Sequence, residues 1–138
     1  RGRRGLEENR AGFAYQLWKM WSPTWDFDAA RFDRTAKAFD NPDFVEVVIH
    51  SCRHRYGLVP GDPAMAHIEN QLAAQPPIKV PTISIDGAVD GVNGGNAHHA
   101  KKFTGPHQHR VFENAGHNLP QESPDGWTTA IMDASRMA

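Results

Sequence analysis

The sequence has one cysteine, almost no net charge and no long hydrophobic run, and each shortage excludes a class of protein. The single cysteine, Cys52, cannot form an intrachain disulfide, so the fold does not require an oxidising compartment. The 15 basic and 16 acidic residues give a formal net charge of −1, which offers no charge excess to attract nucleic acid or an anionic membrane. No apolar run approaches the roughly 18 residues that span a bilayer, and no signal peptide is visible. We therefore expect a cytoplasmic protein with no nucleic-acid partner and no membrane partner.

The first 76 residues contain no segment for which the sequence favours a β-strand. Apolar residues at helical spacing predict a helix over residues 6–21. Capping signals at Asp28 and Asp62 predict helices that run to about residues 39 and 74. The segment from Phe44 is rich in β-branched residues and could form a strand. The cap-and-proline signal just before it favours a buried helix to about residue 53 instead.

The second half has a different pattern. It predicts a strand over 78–85, a glycine-rich loop over 86–96, a short helix over 97–103, a strand over 109–113 and a final helix over 123–137. Two parallel strands do not form a stable sheet by themselves, and a parallel sheet needs cover on both faces. The chain also does not begin with methionine. We therefore expect an α/β fold that is the closing part of something larger, with further residues upstream.

An acid and a histidine near the end of the chain have no matching nucleophile. Asp90 follows the first predicted strand and His117 follows the second, so both belong at the carboxyl edge of a parallel sheet, where ligands bind. We expect the carboxylate and the imidazole within about 3.2 Å of each other. The Gly-x-Ser-x-Gly nucleophile motif is absent, and Asp86, which fits a looser form of it, is followed by glycines where a helix is needed. The alternative is that Asp90 is a loop carboxylate and His117 a helix cap.

Two segments around these residues resemble a known superfamily. Residues 85–92, Ile-Asp-Gly-Ala-Val-Asp-Gly-Val, and residues 115–124, Ala-Gly-His-Asn-Leu-Pro-Gln-Glu-Ser-Pro, resemble the acid and histidine segments of the α/β-hydrolases. The resemblance implies that Asp90 is the acid and His117 the base of a nucleophile–His–Asp triad. It implies covalent two-step hydrolysis of a small-molecule epoxide, halide or ester, with an Asp nucleophile favoured over a Ser. That nucleophile would come from an N-terminal half of the core, which is supplied in another chain or lost.

The helical first half resembles a cap. Residues 39–44 and 50–57 are similar to cap segments of the epoxide-hydrolase and haloalkane-dehalogenase-like branch of the superfamily. The resemblance implies the C-terminal part of an α/β-hydrolase fold. Its helical cap would cover 1–76, and the last two parallel strands with flanking helices would lie in 77–138.

Three residues of the cap half are candidate substrate-binding residues. The branch places a tyrosine before an arginine as an acid for the opening epoxide oxygen, and Cys52 stands at what looks like that position. A thiol is a poorer proton donor there. The alternative of a thiol nucleophile needs a base and a partly exposed setting, and we expect a buried helical cysteine instead. Trp21 and Trp25 lie at the apolar end of the first helix, where they could line a substrate pocket or pack in the core.

The remaining histidines favour neither a metal nor a cofactor. His50 and His54 have the spacing of metal ligands on a helix, but no acid completes the set. His98, His99, His107 and His109 are expected in surface loops. We expect no cofactor and no metal, and no enzymic activity from this chain alone. The rival hypothesis is a non-catalytic, truncated or degenerate hydrolase fragment that acts as a binding or structural partner.

Overall fold

The computed structural model describes residues 2–137, which divide into two compact units. The first unit comprises the described residues up to 16 together with residues 27–75. The second comprises residues 17–26 together with the described residues from 76 onwards. Within the described chain, the elements are α1 (Gly2–Glu8), α2 (Arg10–Trp21), α3 (Ala29–Ala36), α4 (Phe44–Arg55), α5 (Ala66–Ala73), β1 (Thr82–Gly87), β2 (His107–Phe112), α6 (Leu119–Glu122) and α7 (Pro124–Ala134). Short 3₁₀ helices occupy Lys37–Asp40, Pro63–Met65 and Ala97–Lys102.

Side-chain caps begin the helices of the first unit where the sequence places them. Asp28 accepts a hydrogen bond from the amide of Arg31 at 2.5 Å, and Asp62 accepts one from the amide of Ala64 at 2.9 Å. These bonds satisfy amides that have no partner inside the helix. The β-branched segment from Phe44 is helical, which confirms the helix prediction and excludes the strand alternative. The expectation that this helix is buried is wrong, because only Val45 of its residues is buried.

The helix predicted over residues 6–21 is divided in two at Asn9, so the prediction of one continuous helix is wrong. The Asn9 side chain accepts a hydrogen bond from the amide of Gly12 at 2.9 Å and thereby caps α2. An asparagine side chain competes with helical hydrogen bonding in this way because it reaches nearby backbone groups.

Aromatic and aliphatic side chains bury the interior of the first unit. Tyr15 makes edge-to-face contacts with Phe27 and Phe32 at centroid distances of 5.4 and 5.1 Å. The buried apolar residues of this unit are Leu6, Ala14, Phe27, Phe32 and Val45. An aromatic pair of this geometry contributes about 0.5–1.5 kcal/mol beyond the burial of its area.

The second unit is built on two parallel strands. Their register runs from Thr82 opposite His107 to Gly87 opposite Phe112. The parallel pairing is as predicted, but β1 begins and ends later than residues 78–85. Pro81 has no amide hydrogen for the ladder, and Ile78 forms only an isolated bridge with Phe103.

Much of the apolar surface of this unit is not covered by the described residues. Within β1 only Asp86 is buried, and the other strand residues are half-buried. The exposed fraction is 65% for Val80 and 46% for Val111. Ile131 of α7 is also exposed. Within residues 2–137, no helix combines the length and the apolar character needed to cross a membrane.

Candidate active site

The loop after β1 holds Asp90 in a defined orientation. One carboxylate oxygen, Oδ1, accepts hydrogen bonds from the amides of Val92 at 2.7 Å and Asn93 at 3.1 Å. The amide of Val89 donates to the carbonyl of Ala115, in the loop that follows β2. The turn is therefore fixed by its own acid and by the neighbouring loop, and Oδ2 is left for another partner.

That partner is His117, which lies in the loop after β2. Its Nδ1 is 3.0 Å from Asp90 Oδ2, at the carboxyl edge of the sheet. The exposed fraction of the two side chains is 40% for His117 and 11% for Asp90. A carboxylate at Nδ1 favours the tautomer that carries its proton there, so Nε2 becomes the nitrogen that can take a proton.

The electrostatics of Asp90 favour its ionised form. Partial burial by itself raises the pKa of the carboxyl group. The hydrogen bonds from His117 and from the amides of Val92 and Asn93 together outweigh this effect, so the pKa lies below its usual value. Hydrogen bonds donated to a carboxylate stabilise its charged form. Asp90 is thus suited to stabilise a positive charge on the imidazole.

A single backbone carbonyl at the end of α2 links the acid loop to the histidine loop. The carbonyl oxygen of Trp21 accepts from the amide of Gly91 at 3.0 Å and from the amide of His117 at 3.1 Å. It is available because Trp21 is the last residue of the helix. A Cβ atom at Gly91 would lie 1.9 Å from the carbonyl oxygen of Met20, and one at Gly116 would lie 2.8 Å from Cα of Ser22. Both glycines are required by this close approach.

Ser22 and Glu122 contact the histidine loop of the candidate site, and the sequence did not reveal them. Ser22 is fully buried, and its hydroxyl donates to Glu122 Oε1 at 2.6 Å. The two residues lie 100 positions apart in the chain, and no local pattern connects them. The Ser-Pro sequence that ends α2 was a signal only for helix termination.

The three predicted substrate-binding residues have different surroundings. The ring of Trp21 meets the ring of His117 edge-to-face at 5.3 Å, so it borders the acid–histidine pair. Trp25 instead stacks on Trp18 at 5.1 Å. Cys52 lies in α4, in the first unit, and is exposed. The expectation of a buried thiol is therefore wrong.

A second acid–histidine pair lies on the sheet itself. Asp86 Oδ2 is 2.7 Å from His109 Nε2, and its carboxylate also accepts from the backbone and side-chain amides of Asn96, each at 2.7 Å. Partial burial raises the pKa of Asp86, but these hydrogen bonds outweigh it and the pKa lies below its usual value. Asp86 therefore fixes the far end of the acid loop and does not touch His117.

Two histidines that we expected in surface loops are in the sheet. His107 and His109 belong to β2, and His107 Nε2 lies 2.9 Å from the Ser84 hydroxyl of β1. The prediction that His107 lies in a loop is wrong, because β2 begins two residues before the predicted strand over 109–113. His109 lies in the strand at an exposed position, as its surface prediction required. Among the described residues, no group of three or more His, Cys, Asp or Glu side chains could hold a metal ion.

An open cavity of about 540 Å³ adjoins the acid loop. Its lining contains both carboxylates, Asp86 and Asp90, the loop glycines Gly94 and Gly95, and Val111 of β2. A cavity with a few polar groups at the carboxyl edge of a parallel sheet is the usual place for a ligand site in this class of fold.

The chain is similar to a solved structure over nearly its whole length. This solved structure is a crystal structure of "a putative epoxide hydrolase" from Klebsiella pneumoniae subsp. pneumoniae MGH 78578. The two share 43% sequence identity and a TM-score of 0.94 over 99% of this chain. The chain spans about half of that protein, namely 46% of its length. This chain therefore has an epoxide-hydrolase-like fold.

The other two comparisons gave no match. No protein-family model matches the chain, and no curated protein matches it.

Proposed function

We propose that this chain supplies the base and the acid of a hydrolase that uses a nucleophile–His–Asp triad. The observation that carries the proposal is the 3.0 Å contact between His117 Nδ1 and Asp90 Oδ2. The similarity to the Klebsiella protein supports a hydrolase. The rival hypothesis, a loop carboxylate beside a helix cap, offers no reason for the shared Trp21 carbonyl that holds both loops.

The chemistry assigned to the pair has two steps. A nucleophile outside this chain attacks a carbon of the substrate and forms a covalent ester while the leaving oxygen or halide takes the bonding electrons. Nε2 of His117 then removes a proton from water, the hydroxide attacks the ester, and the nucleophile is released. Asp90 holds the ring and stabilises the imidazolium that forms in this second step.

Two features bear on the substrate class, namely the name of the Klebsiella protein and the identity of residue 52 in the proposed cap. The name of the Klebsiella protein specifies an epoxide, and an aspartate nucleophile would act on an epoxide or an alkyl halide. Cys52 occupies the position at which the resembling branch has a tyrosine that protonates the opening epoxide, and a thiol performs this less well. Alkyl halides are therefore also candidate substrates, because a halide leaving group needs no proton. If the nucleophile is a serine, esters are the candidate substrates.

We further propose that the chain is the C-terminal part of an α/β-hydrolase core with its cap. The cap would be residues 1–76 and the core residues 77–138. The exposed side chains of Val80, just before β1, and of Val111 in β2 support this assignment, because a parallel sheet requires cover on both faces. An N-terminal half of the core, carrying the nucleophile and the oxyanion donors, would supply the missing strands.

A hybrid protein tests the proposal. In it, the segment of the Klebsiella protein that this chain does not match is joined to this chain. We expect the 138-residue chain, shown by intact mass to lack a co-purifying partner, to hydrolyse neither styrene oxide nor p-nitrophenyl esters. We expect the hybrid to hydrolyse one of them. Turnover by the chain alone that disappears in His117→Ala would show that the nucleophile lies within it, and a folded but inactive hybrid would contradict the proposal.

The second candidate function is a non-catalytic fragment that binds a partner. The observation in its favour is that the chain contains no Gly-x-Ser-x-Gly motif, and Asp86 of the looser pattern is held by His109 and Asn96. Intact mass after purification from the native source separates the hypotheses. A co-purifying polypeptide with a nucleophile motif supports the enzyme, and a partner without one supports the binding protein.

A further inference from the structure

Five residues form a hydrogen-bonded cluster behind the histidine loop, and we name it the Ser22–Glu122 cluster. Its members are Ser22, Gly116, His117, Asn118 and Glu122. The Glu122 carboxylate accepts from the Ser22 hydroxyl and the Asn118 amide through Oε1, at 2.6 and 2.9 Å, and from the Gly116 amide through Oε2, at 2.8 Å. Charge-assisted bonds of this kind are about twice as strong as neutral ones.

The Ser22 hydroxyl completes the cluster from the other side. Its oxygen accepts from the amides of His117 at 3.1 Å and Asn118 at 3.2 Å, and from the side-chain amide of Asn118 at 2.9 Å. Ser22 has no exposed surface. Buried polar groups of this kind are costly unless every one is paired. The cluster therefore stabilises this arrangement of the histidine loop.

That arrangement decides where the imidazole points. The amide of His117 is bonded on one side to Ser22 Oγ and to the carbonyl of Trp21. On the other side, the imidazole of His117 contacts the carboxylate of Asp90. The same Trp21 carbonyl receives the amide of Gly91 in the acid loop. Ser22 thus immediately follows the residue whose carbonyl joins both loops.

We propose that Ser22 and Glu122 are positioning residues for the acid–histidine pair, and that they hold His117 in register with Asp90. The inference rests on the proposed function, since it assumes that His117 is the base. Neither residue touches the imidazole ring in the contacts above. Both act through the backbone of residues 116–118.

Such a role predicts a specific kinetic effect. A displacement of about 1 Å at a reacting group can cost about 10²-fold in rate. In the hybrid protein, Ser22→Ala should lower kcat by roughly 10- to 100-fold and leave KM within about two-fold, because Ser22 does not line the cavity beside the acid loop. Glu122→Ala should lower kcat to a similar extent and also leave KM nearly unchanged. Glu122→Gln should lower kcat less, because one side-chain oxygen remains to accept hydrogen bonds. The double variant Ser22→Ala/Glu122→Gln should be no worse than the stronger single variant, as for residues that act as one unit.

The matched controls are Ser135→Ala and Glu113→Gln, which alter exposed side chains of the same types elsewhere in the second unit. A second readout, amide hydrogen exchange of the hybrid protein, keeps the test independent of turnover. We expect the amides of His117 and Asn118 to be protected, and to lose that protection in Ser22→Ala but not in Ser135→Ala.

The outcomes separate this inference from the proposed function. If His117→Ala abolishes turnover of the hybrid while Ser22→Ala and Glu122→Ala leave kcat unchanged, the positioning role is overturned and the triad stands. If His117→Ala leaves turnover intact, the proposed function fails instead. Should the hybrid show no turnover at all, the exchange experiment decides, and unprotected amides at His117 and Asn118 in the unsubstituted hybrid would overturn the positioning role.

Discussion

The amide of Gly91 donates a hydrogen bond to the carbonyl of Trp21 at 3.0 Å. This contact joins the acid loop to the end of α2 so closely that a Cβ atom at Gly91 would lie 1.9 Å from the carbonyl oxygen of Met20. The Met20 carbonyl is a backbone group, so it cannot move aside as easily as the end of a flexible side chain. The position of the acid loop therefore depends on the absence of a side chain at this residue.

Gly91→Ala should destabilise the second unit, because the added methyl group displaces either the acid loop or the end of α2. Overpacking of this kind costs about 1–3 kcal/mol. Urea denaturation of the hybrid protein measures the change in the free energy of unfolding. Gly94→Ala is the matched control, since a Cβ atom there meets nothing within 4 Å. Equal stability of the two variants would show that the loop is not held against α2.

The stability of the fold should decline in acid partly through Asp90. The pKa of its carboxyl group is lowered in the folded state, against about 3.9 in an unfolded chain. The unfolded state therefore binds the proton first, so the stabilisation is fully present above about pH 4 and is lost as the pH falls through the folded-state pKa. In Asp90→Asn the free energy of unfolding of the hybrid should fall less steeply between about pH 5 and pH 2. Asp26→Asn, at an exposed position, should leave the pH dependence unchanged, and an unaltered slope in Asp90→Asn would contradict the contact.

The isolated chain should self-associate or lack a single sharp melting transition. Val80, Val111 and Ile131 are exposed in the second unit, and an uncovered parallel sheet edge invites association. Size-exclusion chromatography with light scattering and a thermal melt test this expectation. The hybrid protein, in which the missing strands are restored, should be monodisperse and melt in one cooperative step. A monodisperse isolated chain with one sharp transition would instead favour a free-standing binding domain.

Local chemistry in the sequence predicted most of the helices and the parallel pairing of the strands. Asp28 and Asp62 act as caps through backbone groups two or three residues away, so their effect can be inferred from neighbours alone. The closeness of Asp90 and His117 followed from topology, because parallel strands bring their carboxyl ends to one edge. Their catalytic roles remain a proposal.

Long-range polar pairs that do not both lie at strand ends could not be predicted from the sequence. Ser22 and Glu122 meet only after folding, and a buried serine has no periodic pattern to mark it. The pairing of His109 with Asp86 was missed because the two residues lie on different strands. The thiol of Cys52 was expected inside because cysteines are usually buried, yet the helix turns it outward.

The most direct test of the proposed chemistry is the intact mass of the hybrid His117→Ala variant after incubation with styrene oxide. With an aspartate nucleophile, only the second step needs the base, so the variant should accumulate a covalent adduct heavier by one substrate molecule while steady-state turnover ceases. In the Asp90→Asn variant, part of the protein should still carry the covalent adduct. Its turnover should be lower by roughly 10⁴-fold, by analogy with the acid of other triads. Steady turnover of styrene oxide by His117→Ala, with no adduct in its mass spectrum, would contradict the assignment of His117 as the base.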